Sequence, residues 1–234
     1  MGAKINVLSA GAVKPALTRV IDAFRQETGH AVDVTFATAP EIRRRLSADE
    51  SADVVIAPSE VIDELVGAGN AQATDRGTIG RIGIGIVVRD GAAVPSIATV
   101  EDFKQSLLAT GSIVYNQAST GIYLEQLFER LGIGEHVKAA AIRYPDAASV
   151  LEHVRGAGSR CIGFAAVTVV KENEGQGLKF VGPLPAEIQN YTTYEATATA
   201  NSARHELAPA LVRYLTTSAA RAVFAAFGIE SNPD

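Results

Sequence analysis

The sequence predicts an α/β fold divided into two small lobes. Three observations carry that expectation. Strand-like apolar runs alternate with helix-period segments along the whole chain. The alternation breaks once, across the small and polar residues Gly67 to Gly80. It then resumes after a long strand, Arg81–Arg89, that can lead the chain from one lobe into another. The 234 residues are 47% hydrophobic, which suits packed cores and excludes the disordered and collagen-like classes.

Lys4–Ser9 reads as the first strand. Val13–Thr28 follows as an amphipathic helix with Val13, Leu17, Val20, Ile21 and Phe24 as its apolar stripe and Gly29 at the position just past its end. Ala31–Phe36 is the next strand. Pro40–Ala48 is helical, Pro40 suiting a first position where an N–H would go unused. Asp53–Ala57 is a short buried strand, and Ser59 is the expected cap of the helix Glu60–Ala68. The glycines of RIGIGIVVR mark a bend or a close backbone approach within the long strand. The second half reads as helix Val100–Leu108, strand Ile113–Asn116, helix Thr120–Leu131, strand Ala141–Tyr144 and helix Ala147–Arg155. Strand Cys161–Ala165, helix Val167–Asn173 and strand Leu178–Val181 come next. Tyr191–Ala200 alternates as a half-buried strand does, and Leu207–Leu215 and Ala219–Phe227 close the chain as helices.

Composition excludes several function classes. With 21 Lys+Arg against 26 Asp+Glu and a net charge of −5, the chain lacks the basic face of a nucleic-acid binder. A small anion is compatible with that charge, because a few aimed donors can hold one. The single Cys161 rules out an intramolecular disulfide or a multi-Cys cluster, and in an apolar strand it reads as a core residue. His30, His136, His153 and His205 share no helical i, i+4 pair, so no metal site is expected and they read as surface residues. No nucleophile elbow, phosphate loop or zincin pair is present, and Gly80–Gly85 does not open a helix, so no cofactor is expected. No apolar run approaches the roughly 20 residues of a membrane span. Ile5–Leu8 is too short for the core of a signal peptide and reads as a buried strand. The compartment is expected to be periplasmic if a signal was removed and cytoplasmic if Met1 is the native start.

Four strand-to-helix junctions carry small residues and short hydroxyls: Ser9-Ala10-Gly11-Ala12, Ala37-Thr38-Ala39-Pro40, Ala118-Ser119-Thr120-Gly121 and Ala165-Ala166-Val167-Thr168. In open α/β sheets ligands bind outside the carboxyl ends of strands. Helix N-terminal N–H groups there favour an anion, and small side chains let it approach the backbone. Two junctions from each half of the chain point to a ligand cleft between two lobes. Of Arg43-Arg44-Arg45, spread around one helix, a single side chain could face such an anion.

At these junctions the sequence resembles the molybdate-type periplasmic solute-binding proteins of ABC importers. VLSAGAVKPALTRVIDAFRQETGH, VTFATAPEIRRRL and SADVVIAPSEVIDELV look like the first lobe of that family. The resemblance continues through STGIYLEQLFERLGI, RCIGFAAVTVV and the closing FAAFGI, and so covers nearly the whole chain. It implies the type II periplasmic-binding-protein fold: two three-layer α/β lobes joined by two crossover strands, near Ile82–Arg89 and Tyr191–Ala200, with the ligand cleft between them. Residues 1–82 plus 194–234 would form the first lobe and 83–193 the second. The expected protein is a monomer with importer membrane subunits as its partners, without membrane insertion and without catalysis.

The side chains that ligate molybdate in that family fall at Ala12, Ala39 and about Ala166, none of which carries a donor. Hydroxyls stand nearby, at Ser9, Thr38, Ser119 and Thr120. Each missing donor costs on the order of 1–3 kcal/mol in a dry pocket, so a small organic carboxylate is the expected ligand. The expected contacts are Ser9, Ala10, Gly11, Ala12, Thr38, Ala39, Asn116, Ser119, Thr120, Asp146, Ala147 and Ala166, with Arg43 or Arg143 as counter-charge. The alternatives are a cytoplasmic ligand-sensing domain, for which no helix-turn-helix segment is seen, and an isomerase of a small tricarboxylate. Aconitate isomerase is similar to the molybdate-binding proteins, and a proton shift of its kind would need a base, for which Asp146, Tyr115 and Tyr123 are the candidates.

Overall fold

The computed structural model describes residues 4–48, 50–202 and 206–232. The chain separates into two compact units, Met1–Ile82 with Thr192–Asp234, and Gly83–Tyr191.

The first unit begins with β1 (Lys4–Ala10), a single 3-10 turn at Gly11–Val13, and α1 (Lys14–Thr28). β2 (Ala31–Ala37), α2 (Ala39–Ser47), β3 (Val54–Pro58) and α3 (Ser59–Gly67) follow. β1 lies between β2 and β3 and is parallel to both. β3 is itself an inner strand, and its VVIAP is buried along its whole length. α1 buries Leu17, Val20, Ile21 and Phe24, spaced as one helical face. Gly29 ends α1 with φ 72°, and its N–H reaches the Arg25 carbonyl at 2.9 Å; a Cβ would disfavour that left-handed turn.

β4 (Ala71–Arg89) runs 19 residues and passes into the second unit after Ile82. There α4 (Val100–Ala109), β5 (Ser112–Asn116), α5 (Ser119–Arg130), α6 (Gly134–Ala140) and β6 (Ala141–Tyr144) precede α7 (Ala147–Gly156). β7 (Cys161–Ala166), α8 (Val167–Glu172) and β8 (Leu178–Pro183) complete that unit. β5 is parallel to β6 and β7, while β4 is antiparallel to β7 and β8. Alternate residues of these strands enter two different cores. Ile84, Ile86 and Val88 of β4 join Ile113, Tyr115, Ile162 and Phe164 against Phe103, Leu124 and Phe128. Val87, Val114, Cys161 and Ala165 pack on the opposite face against Val150, Leu151 and Val154 of α7. The second unit is therefore a helix–sheet–helix sandwich.

β9 (Tyr191–Thr199) returns the chain to the first unit, where it is antiparallel to β3, and α9 (Leu207–Leu215) and α10 (Ser218–Ala226) follow. The buried carboxylate of Asp53 ties this return to the start of β3. Its Oδ2 accepts from the Asn6 N–H and its Oδ1 from the Ser202 hydroxyl, both at 2.8 Å.

The structure corrects several expectations. The stretch read as irregular between Gly67 and Gly80 contains the first ten residues of β4. Its polar residues hide the strand, which β9 holds through Thr197 Oγ1 to the Gln72 carbonyl at 2.6 Å and an Arg76–Glu195 ion pair. α6 was not foreseen, because it buries only Gly134 and Val137 and shows no stripe. Pro58, not Ser59, occupies the cap position of α3, and Ser59 Oγ instead donates to the Thr193 carbonyl at 3.4 Å. The glycines of β4 do mark close approaches: at Gly85 a Cβ would sit 3.0 Å from the Phe180 ring and 3.3 Å from Val167 Cα. His205 lies outside the described residues. Among the described residues no three His, Cys, Asp or Glu side chains come together as a metal site, and no helix is long and apolar enough to cross a membrane.

Candidate functional site

Because β1, β2 and β3 run parallel, their carboxyl ends share one edge of the first unit. The turn after β1 begins with Ala10 in an extended conformation, and neither it nor α1 has an acidic residue in its first turn. A Cβ placed on Gly11 would meet nothing within 4 Å, so the backbone there is open to approach. Ser9 was expected to offer a hydroxyl, but it is fully buried and its Oγ donates to the Ala10 carbonyl at 3.2 Å. The extended strand turns that side chain inward. Thr38 precedes α2, and its side chain makes no capping bond. Ala39 beside it is buried.

α2 carries its own negative charge. Glu41 in its first turn accepts from Arg44 and Arg45, and those hydrogen bonds, Arg44 first, pull its carboxyl from 4.5 to about 2. Arg43, an expected counter-charge, is engaged by Glu64 in a two-pronged pair at 2.5 and 3.0 Å. That hydrogen-bonded carboxylate raises the guanidinium above its ordinary value.

The carboxyl ends of β5, β6 and β7 share an edge of the second unit. Asn116 ends β5, 6% exposed, and its Oδ1 accepts from the Ala118 N–H at 2.9 Å and the Gly121 N–H at 3.3 Å. First-turn N–H groups have no intrahelical acceptor. With two held by Asn116, those of Ser119 and Thr120 stand open beside their hydroxyls, and no acidic residue lies in that turn. The helix can start this close to the strand only because residue 121 is glycine: a Cβ there would lie 1.6 Å from the Asn116 carbonyl oxygen.

The other expected residues of this unit are differently employed. Asp146 caps α7 by accepting from the Ser149 N–H at 2.8 Å, so a carboxylate already sits at that helix end and opposes a second anion. Ala147 packs against the α7 core. Arg143 is paired with Glu125 at 3.1 Å. Ala166, at the end of β7, is 8% exposed and precedes α8, whose first turn has no acidic residue. The candidate bases are likewise engaged. Tyr115 is in the core, where burial, followed by the Glu125 charge, raises its phenol. Tyr123 donates to the Ile188 carbonyl at 2.8 Å.

One residue escaped the sequence reading. Tyr194 lies directly across from Pro58 at the strand-end edge of the first unit. Its only signal in the sequence is an inward place in the alternation YTTYEATATA.

Comparison with known proteins matches residues 5–230 to a family model described as bacterial extracellular solute-binding protein. The chain is 31% identical over 226 residues to an aconitate isomerase from a Pseudomonas species, covering 94% of this chain and 85% of that relative. Among solved structures it resembles the periplasmic molybdate-binding protein of Azotobacter vinelandii, with a TM-score of 0.80, 19% identity and coverage of 98% and 100%. It also resembles an ABC-transporter substrate-binding protein of Agrobacterium tumefaciens, with a TM-score of 0.77, 16% identity and coverage of 96% and 77%.

Proposed function

The chain belongs to the bacterial extracellular solute-binding protein family, and from that premise we propose that it captures a small organic carboxylate for an ABC-type importer. The observation that carries this reading is the start of α5. Asn116 holds the flanking N–H groups there and leaves those of Ser119 and Thr120, with two hydroxyls, in a first turn that contains no acidic residue. Such a patch of neutral donors at a helix N-terminus suits an anion. In the first unit, taken by itself, the open backbone at Gly11 and the hydroxyl of Thr38 stand at a strand-end edge of the same kind. Arg43 and Arg143 already face carboxylates, so binding rests on neutral donors.

Ligand class follows from donor number. A tetrahedral oxyanion presents four oxygens, and alanine at residues 12, 39 and 166 removes side-chain donors where the molybdate-type proteins have them. One carboxylate group of an organic anion presents only two oxygens, a number that the N–H groups and hydroxyls at the start of α5 can satisfy. The relative named for aconitate, a tricarboxylate, supports the same class. Thermal shifts against molybdate, sulfate, phosphate and a series of di- and tricarboxylates test the reading. A true ligand at 100 times its Kd adds about 2.7 kcal/mol of stability, and nanomolar molybdate binding would refute a carboxylate ligand.

The 31% identity to an isomerase favours one further reading, in which the bound tricarboxylate is also isomerised. Proton NMR of the best carboxylate ligand with the protein in deuterated water separates the two. Solvent exchange or double-bond migration marks an enzyme, and inert saturable binding marks a carrier.

A further inference from the structure

The feature that neither the family nor the strand-end pattern accounts for is Tyr194. It stands opposite Pro58, the residue before α3. The register that sets Ser9 level with Ile56 sets Pro58, two residues on, level with the Gly11 turn. Tyr194 therefore shares the strand-end edge with the open backbone of Gly11. Its ring is enclosed, the residue being 7% exposed, and along β9 its neighbour Glu195 is committed to Arg76.

Among the described residues the Tyr194 hydroxyl has no hydrogen-bond partner. It is also not among the fully enclosed unpaired atoms, which are His30 Nδ1 and Arg89 Nε. The residue is thus buried while its oxygen is left without a protein partner. Burial first, and then the charge of Glu60, push the phenol well above its ordinary range, so the group stays a neutral, proton-bearing donor. A core position that needed only an aromatic ring would be served by phenylalanine, without the cost of a poorly paired hydroxyl.

We propose that Tyr194 is a ligand-contacting residue whose hydroxyl donates to an oxygen of the bound carboxylate. This rests on the carboxylate reading above. A neutral phenol at the strand ends favours an acceptor ligand, and the open space at Gly11 leaves room for one.

The test compares the wild-type protein with Tyr194→Phe by calorimetric titration of cis-aconitate, citrate and tricarballylate. The chain has six tyrosines and no tryptophan, so tyrosine emission gives a second readout. The variant is expected to bind the best of these ligands about tenfold or more weakly, the fold-change of one hydrogen bond to a charged acceptor. Its ligand-free thermal midpoint stays unchanged, and part of the ligand-induced change in tyrosine emission disappears. Equal affinity, with or without a lowered midpoint, overturns the assignment of Tyr194 and leaves the carboxylate reading standing. No binding of any of these carboxylates or of simpler ones by the wild-type protein overturns both.

Discussion

Replacing Gly121 with alanine tests the geometry that the candidate site depends on. The added methyl would lie 1.6 Å from the Asn116 carbonyl oxygen, 2.8 Å from its carbonyl carbon and 3.1 Å from Tyr115 Cδ2. Non-bonded heavy atoms rest at about 3.5–4.0 Å, and neither a strand carbonyl nor the core ring of Tyr115 can rotate aside. The first turn of α5 must retreat by about 2 Å. That retreat breaks the 3.3 Å bond from the Gly121 N–H to Asn116 Oδ1 and loosens Leu124, which is fully buried one turn along. Overpacking costs about 1–3 kcal/mol, and the lost hydrogen bond about 0.5–1.5 kcal/mol. Alanine's better helix propensity returns about 1 kcal/mol. The net expectation is a loss of about 0.5–3.5 kcal/mol, centred near 2, read as a lower urea midpoint. Gly156→Ala is the control, because a Cβ at that helical position meets nothing within 4 Å; it is expected to be neutral or stabilising. A Gly121→Ala protein within about 0.5 kcal/mol of wild type, the range of an ordinary surface substitution, would refute the close approach of α5 to β5.

Asn116→Asp keeps the shape and the acceptor toward the Ala118 and Gly121 N–H groups but adds a negative charge beside the open donors of α5. Folding stability should hold or rise while carboxylate affinity falls by about tenfold or more; calorimetry showing unchanged affinity would remove the α5 end from the site. Arg43→Gln should change ligand affinity less than threefold and stability by at most about 1 kcal/mol, because the side chain serves an exposed pair with Glu64. A large affinity loss would restore Arg43 as the counter-charge. Glu41 supplies a pH dependence of definite sign. Its folded-state carboxyl is depressed from 4.5 to about 2, so its contribution is complete above 4.5 and is lost as pH falls toward 2. Urea midpoints of the wild type should therefore fall more steeply over that window than those of Glu41→Gln, and less so in high salt. Parallel curves would contradict the Arg44 and Arg45 hydrogen bonds.

Much of the fold was legible because helix and strand periods are local. The α1 stripe from Leu17 to Phe24, the turn at Gly29 and the apolar run of β3 need only neighbouring residues to be recognised, and the order of strands and helices follows from them. The small residues at the strand ends were legible for the same reason. Tertiary structure decided what depends on partners far along the chain. The first half of β4 is polar and becomes a strand only beside β9, more than a hundred residues later. Arg43 is withdrawn by Glu64, and Ser9 is sealed beneath its own strand. Asn116 and Gly121 matter through a 1.6 Å approach that no residue pattern announces. Tyr194 gains its enclosed ring and its place opposite Pro58 from strand register. Periodicity assigns each residue a face, but charge pairing, backbone approach and register between distant strands determine which donors on that face remain open.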